Sequence, residues 1–119
     1  MKLEGNFYIT ESFAPAAGGF SATLELLAAH PVYAGHFPGR AVVPGVFTLT
    51  LIRECVSRAL GREVVFTAVR ECKFVSALLP AEGLKIKLDF SFGEEGRIDG
   101  TVTRCDNGAA VLKLKATIS

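Results

Sequence analysis

Only one stretch of this chain, Pro44 to Leu60, has the length and apolar spacing of a long helix; nearly everything else alternates or turns. Leu84, Ile86, Leu88, Phe90 and Phe92 alternate with Lys85, Lys87, Asp89 and Ser91, the period of two that gives a strand one buried face. Leu112, Leu114, Ala116 and Ile118 repeat the pattern against Lys113, Lys115 and Thr117, as do Phe20, Ala22, Leu24 and Leu26 near the N-terminus. Further strands are expected near Phe7 to Phe13 and across Val64 to Phe74. Gly93-Glu94-Glu95-Gly96 and Asp106-Asn107-Gly108 are short enough to close antiparallel hairpins. Ala14 to Gly19 reads as the break between the first two strands, and Pro80 to Gly83 as the break before the lysine-striped one.

Pro44 suits a first helical position, since its φ is preset and its absent N–H would have no partner there, and Gly61 supplies the stop. Leu49, Ile52, Val56, Ala59 and Leu60 make one apolar stripe; Val46, Phe47, Leu51 and Cys55 extend it round the helix, which is therefore expected to be buried on most sides. About six antiparallel strands around one long helix, 44–60, is an α+β plan, expected here as a single domain over residues 1–119.

The formal net charge of +1 gives no field that would attract nucleic acid or an anionic membrane. No stretch approaches the roughly 18 apolar residues of a membrane span. Met1 to Asn6 is polar with no apolar run after it, so no secretory leader is expected. Cys55, Cys72 and Cys105 are odd in number and far apart, which argues against a disulfide framework or structural zinc; a cytoplasmic protein with reduced thiols and no metal is expected. The lysines at 85, 87, 113 and 115 read as an outer, solvated sheet face.

The segment His30 to Glu54, HPVYAGHFPGRAVVPGVFTLTLIRE, holds both histidines, three of the five prolines and three glycines. Gly35-His36-Phe37-Pro38-Gly39 places a titratable ring in a constrained turn just before the helix. Val43, preceding Pro44, is biased to extended backbone, and Gly45 leaves the first helical turn open to a ligand. The first helical N–H groups lack intrahelical partners and lie at the positive end of the dipole, so they can hold an oxygen that gains negative charge. A base working near neutral pH beside such donors suits proton transfer at the carbon next to a carbonyl. The plainer alternative is a structural loop whose histidine satisfies backbone groups.

HFPGRAVVPGV resembles the HFPGxPVxPGV motif of the β-hydroxyacyl–acyl carrier protein dehydratases; His36, Phe37, Pro38, Gly39, Val42, Pro44, Gly45 and Val46 all fit it. Lys73-Phe74 and Pro80 resemble that family's KF(x)5P strand and turn, and the likeness covers nearly the whole chain. The resemblance implies a hotdog fold, an antiparallel sheet wrapped round a central helix. It also implies dehydration of a β-hydroxyacyl thioester in fatty-acid or polyketide-like synthesis, with active sites at the interface of a homodimer or a higher homo-oligomer. His36 would be the base and the Gly45 amide, with Val46, the oxyanion donor. Phe37, Gly39, Arg40, Gly45 and Val46 are the substrate-binding candidates, Arg40 meeting an acidic carrier with Arg70 and Lys73 behind it. No cofactor is expected: the acyl group arrives on the phosphopantetheine of a carrier protein or on CoA.

The resemblance breaks at one position. The family keeps a carboxylate 14 residues after the histidine, and that residue here is Thr50, which cannot act as an acid near pH 7 and can only orient a water or the substrate hydroxyl through its O–H. Glu54 lies one turn later on the same helix face, where the family usually has glutamine. It is expected either to take over the carboxylate role or to pair with Arg53, Arg58 or a residue across the dimer. Ala41 replaces a family proline, His30 stands where Asn or Glu is usual and is expected to be structural, and Tyr33 is expected to pack near the loop. Two other functions stay open: a non-catalytic acyl-binding subunit that pairs with an active relative, and a hotdog acyl thioesterase.

Overall fold

The computed structural model of the chain describes residues 2–35 and 42–119. The elements run β1 (Tyr8–Ala16), β2 (Gly19–Leu26), α1 (Val32–Gly35), α2 (Gly45–Leu60), β3 (Phe66–Phe74), β4 (Lys85–Phe92), β5 (Arg97–Arg104) and β6 (Ala110–Ile118). All six strands form one antiparallel sheet in the order β1-β2-β4-β5-β6-β3, so β1 and β3 are its edges.

The alternating residues fall where the period of two puts them. Phe20, Ala22, Leu24 and Leu26 of β2, Ile86, Leu88 and Phe90 of β4, and Leu112, Leu114, Ala116 and Ile118 of β6 are buried with Ile98 and Val102 of β5. They share one core with Leu51, Ile52, Cys55 and Val56 of α2. The polar partners face out: Lys85 pairs with Glu11 at 2.7 Å, and Lys113 and Lys115 are exposed.

Four details differ from the sequence reading. β1 runs through Pro15 to Ala16, so the break at Ala14 to Gly19 shrinks to a two-residue turn, Ala17-Gly18, with Gly18 at φ 77°. Pro15 is tolerated because β1 is an edge strand. β3 begins at Phe66 rather than Val64, whose side chain is buried and whose N–H donates to the buried Ser57 Oγ at 3.1 Å. Pro44 is the N-cap, not the first helical residue: its ψ of 138° is extended, and its carbonyl accepts from Phe47 N at 3.0 Å and Thr48 N at 3.2 Å. The buried helical face is Thr48, Leu51, Ile52, Cys55, Val56 and Ser57, whereas Val46 is 64% and Leu60 37% exposed. One chain thus buries a narrower face of α2 than the apolar content suggests. At the other end Gly61, at φ 71°, turns the chain so that its N–H and that of Arg62 bond to Arg58 O and Ser57 O.

A segment with no strand or helix pattern completes the core. Leu3 and Phe7 are buried, and Tyr8, at the start of β1, is buried beside the C-terminal half of α2 near Cys55. Burial, then the charge of Glu4, pushes the Cys55 thiol from its ordinary 9.0 up to about 12. Burial also pushes the Tyr8 phenol far above its ordinary value, with Cys55 and Glu54 adding to the effect. Both groups favour the fold while protonated, so this stabilisation is complete below about pH 9 and is lost as pH rises through the folded-state values. The melting temperature is expected to fall from about pH 9 upward, and Cys55→Ala should make that decline shallower; a titration of Tm from pH 7 to 11 measures both.

Candidate active site

α1 and the start of α2 flank residues 36–41, and the structure defines the walls on both sides. His36, Phe37, Gly39 and Arg40, the candidate base and three of the substrate-binding candidates, lie outside the described residues.

The helix side presents Gly45 and Val46. Because the first helical hydrogen bond to Pro44 O comes from Phe47, the N–H groups of Gly45 and Val46 precede the intrahelical ladder. Phe74, at the end of β3, closes over this turn: a Cβ at Gly45 would stand 2.8 Å from the Phe74 ring carbon Cζ. Beside them runs an apolar groove of about 390 Å³, lined by Val43, Gly45, Thr48, Phe74, Leu78 and Val111 among others. Its size and lining suit an alkyl chain. The Val43 N–H donates to Leu78 O at 2.8 Å, which ties the segment before the helix to the turn that follows β3.

The carboxylate candidates are placed differently from one another. Thr50 Oγ1 donates to Val46 O at 2.8 Å, one turn back, so its proton is already engaged and its oxygen can only accept from a water or a substrate hydroxyl. Glu54 turns toward the N-terminal segment. Its Oε2 accepts from Leu3 N at 2.7 Å, and its Oε1 accepts from Glu4 N at 3.1 Å and from the Tyr8 hydroxyl at 2.9 Å. The expected arginine partners are used elsewhere: Arg53 reaches Glu63 at 3.3 Å, while Arg58 lies 4.0 Å from Glu4 and 4.4 Å above the Phe13 ring. Three donors on one carboxylate make it an anchor for backbone N–H groups that no strand or helix would satisfy.

On the α1 side, four rings meet. Phe7 lies edge-on to Phe47 at 4.8 Å and to His30 at 5.4 Å, and tilted to Tyr33 at 6.0 Å. His30 in turn stands edge-on to Phe47 at 5.8 Å, and its Nδ1 accepts from Val32 N at 3.0 Å. The Tyr33 hydroxyl is buried without a partner among the described residues, and burial pushes its phenol up to about 12. Sequence reasoning passed over the N-terminal segment because Met1 to Asn6 looks polar; the usable signal was Leu3 and Phe7, apolar residues four apart. Glu54 was singled out by position, but nothing in the sequence ties it to amides about 50 residues away.

Of the basic candidates for an acidic carrier, Arg40 lies outside the described residues. Arg70 and Lys73 are exposed on β3, and Lys73 pairs directly across from Lys113, an unfavourable like-charge neighbour on the outer face. Among the described residues no group of three or more His, Cys, Asp or Glu is gathered to hold a metal ion. No helix among them is long and apolar enough to cross a membrane.

The 3-hydroxyacyl-(acyl-carrier-protein) dehydratase FabZ of Latilactobacillus sakei subsp. sakei (strain 23K) is 38% identical over 64 residues, 48% of this chain and 46% of that protein. The chain therefore spans about half the length of the curated relatives it matches. Among solved structures, the dehydratase heterocomplex ApeI:P from Xenorhabdus doucetiae superposes with a TM-score of 0.78 at 20% identity, over 92% of this chain and 96% of that one. The smu.793 protein of Streptococcus mutans UA159, bound to acetyl CoA, gives a TM-score of 0.65 at 20% identity, over 99% and 90% of the two chains. At these identities the structural likeness establishes the fold, a sheet around one long helix. The sequence profile of the ApeI-like family, described as ApeI dehydratase, matches residues 15–112, and the chain belongs to that dehydratase family.

Proposed function

We propose that the chain dehydrates a β-hydroxyacyl thioester presented on the phosphopantetheine of an acyl carrier protein or on CoA. The observation that carries this reading is the apolar groove running beside the unladdered amides of Gly45 and Val46, directly after a family histidine motif. The acyl chain lies in the groove and the thioester carbonyl oxygen accepts from the Gly45 N–H. His36 removes the α-proton, and the electron pair of that C–H bond passes into the thioester as an enolate held by the helix amides. The enolate then expels the β-hydroxyl: a carbon–carbon double bond forms, the C–O bond breaks, and the leaving oxygen takes a proton to depart as water. The imidazolium of His36, protonated in the first step, is the proton source the motif itself provides. Thr50 assists by accepting a hydrogen bond from the departing group or its water, since its own proton bonds Val46 O.

The active unit is proposed to be a dimer joined along β3. That strand is an open edge carrying Val69 (48% exposed) and Phe74, which closes over Gly45, so a second chain added there would lie against the groove. The same geometry favours one further reading. With Thr50 in place of an acid and Glu54 bound to Leu3, Glu4 and Tyr8, the chain has the form of an acyl-binding subunit whose partner brings the carboxylate.

Purified protein should release water from a β-hydroxyacyl thioester, followed as enoyl thioester by mass spectrometry. His36→Ala should lower kcat at least a hundredfold. Thr50→Glu should raise it about tenfold or more by restoring an acid. Wild type that turns over no faster than His36→Ala would sink the catalytic reading, and activity appearing only with a second hotdog chain would establish the subunit reading. Release of free thiol in place of enoyl product would instead make it a thioesterase.

Val69→Lys should convert the dimer to monomer, measured by light scattering at micromolar concentration; an unchanged mass would remove β3 as the joining edge.

A further inference from the structure

The apolar groove beside Gly45 has a buried hydroxyl in its wall. Thr48 and Ser57 are the polar residues that α2 buries, and Thr48 is only 3% exposed. Ser57 has a structural partner, its Oγ accepting from Val64 N at 3.1 Å. Thr48 is placed differently. The carbonyl one turn back, Pro44 O, already accepts from Phe47 N at 3.0 Å and from Thr48 N at 3.2 Å, one bond for each lone pair. Thr50 shows the alternative, since its hydroxyl does bond the carbonyl one turn back. Among the described residues no hydrogen bond takes up the Thr48 hydroxyl.

A threonine in that position is chemically conspicuous. Valine has the same shape and would fill the helix face without a polar group to desolvate. Thr48 instead lines the groove together with Gly45, Phe74, Leu78 and Val111. The other hydroxyl on that wall, Ser76, is exposed and donates to Ala110 O at 2.8 Å. Thr48 therefore supplies the buried polar contact available to a molecule inside the groove.

Its position along the helix matches one substrate atom. Thr48 follows Gly45 by three residues, so the two share a face and Thr48 stands about 4.5 Å further along the axis. In a 3-hydroxyacyl thioester the β-oxygen lies three bonds from the thioester carbon, a spacing of the same order. Thr50 is about 200° round the helix from Thr48 and is not among the groove's lining residues. We propose that Thr48 determines specificity in the groove, its hydroxyl hydrogen-bonding the β-oxygen of a 3-hydroxyacyl thioester whose carbonyl rests on the Gly45 N–H. The assignment rests on the reading of the groove as the acyl site and goes beyond it by naming the group that recognises the β-hydroxyl. A saturated acyl chain entering the same groove leaves the Thr48 hydroxyl without a partner, and that loss is what discriminates against it.

Dissociation constants for 3-hydroxyoctanoyl pantetheine and octanoyl pantetheine isolate the β-hydroxyl. They are measured by calorimetry in a His36→Ala background, which suppresses turnover. The hydroxylated ligand is expected to bind about fivefold tighter. Thr48→Val and Thr48→Ala, the first keeping the side-chain volume and the second not, should both abolish that preference by weakening the hydroxylated ligand. Octanoyl pantetheine should stay within about twofold in Thr48→Val, and Thr48→Ser, which retains a hydroxyl, should keep the preference. Equal weakening of both ligands in Thr48→Val would make Thr48 a packing residue and overturn the proposal, as would a preference that survives loss of the hydroxyl. Wild type that forms no enoyl product, with the Thr48-dependent preference intact, would remove the reaction and leave this site standing. Enoyl product with a preference indifferent to Thr48→Val would do the reverse, and a groove that binds neither ligand would remove both.

Discussion

The apolar face of α2, packed into the hollow of a six-stranded sheet, holds every other part of the site in place. Leu51, Ile52 and Val56 have no exposed surface, and they meet the inward rows of β2, β4, β5 and β6 in one core. Each such side chain contributes roughly 1.5–3 kcal/mol on burial, so the helix cannot rotate or slide without exposing several at once. That rigidity matters at the N-terminus. On the proposed reading, the Gly45 and Val46 amides serve as donors only if the helix axis points steadily at the substrate carbonyl, and the core fixes that axis. The groove beside them depends on the same constraint, since Thr48 belongs both to the buried helix face and to the groove wall.

Around that rod the chain adds a strap. Residues 2–7 have no regular structure of their own, yet Leu3 and Phe7 are buried and Glu54 binds the Leu3 and Glu4 amides. A carboxylate on a helix can bind backbone donors that no neighbouring strand is available to pair. Phe7 then carries the strap to His30, Tyr33 and Phe47. The two ends of the motif-bearing segment, distant from the strap in sequence, are thus referred to one buried ring.

The strands were legible because burial on one face imposes a period of two that survives tertiary context, and the helix because its stop signal, Gly61, does its work through its own backbone angles. Boundaries were less legible where an edge changed the rules: Pro15 reads as a break, but an edge strand accommodates it. The helical stripe was read too broadly because apolar residues look alike whether they face a core or an open surface, and Val46 faces out. At the site, Gly45 and Val46 lie in the first turn of a helix that begins one residue later than the sequence suggests, while His36, Phe37, Gly39 and Arg40 lie outside the described residues. The partners of Glu54 and the ring contacts of His30 were not legible. They join residues 46 to 51 apart in one case and 17 to 23 apart in the other, and short-range periodicity carries no information at such separations.

The placement of Thr50 and Glu54 bears on which half of the proposed chemistry the chain is equipped for. Enolate formation needs a base and an oxyanion donor, and on the proposed reading His36 and the first amides of α2 are those groups. Loss of the hydroxyl needs a proton at the β-oxygen, the task that the family resemblance would assign to a carboxylate at the position of Thr50. Moving from Thr50 to Glu54 displaces a side chain by about 6 Å along the helix. Glu54 cannot recover that distance while its oxygens hold Leu3, Glu4 and Tyr8, and releasing them would free the strap that steadies Phe7. The carboxylate is thus tied to architecture, and Thr50, its proton given to Val46 O, offers only an acceptor. On the proposed mechanism the barrier lies at departure of the hydroxyl, and a proton for it comes from the His36 imidazolium or from an acid on a second chain beside β3. An imidazolium serving both steps must stand within reach of the α-carbon and the β-oxygen in turn.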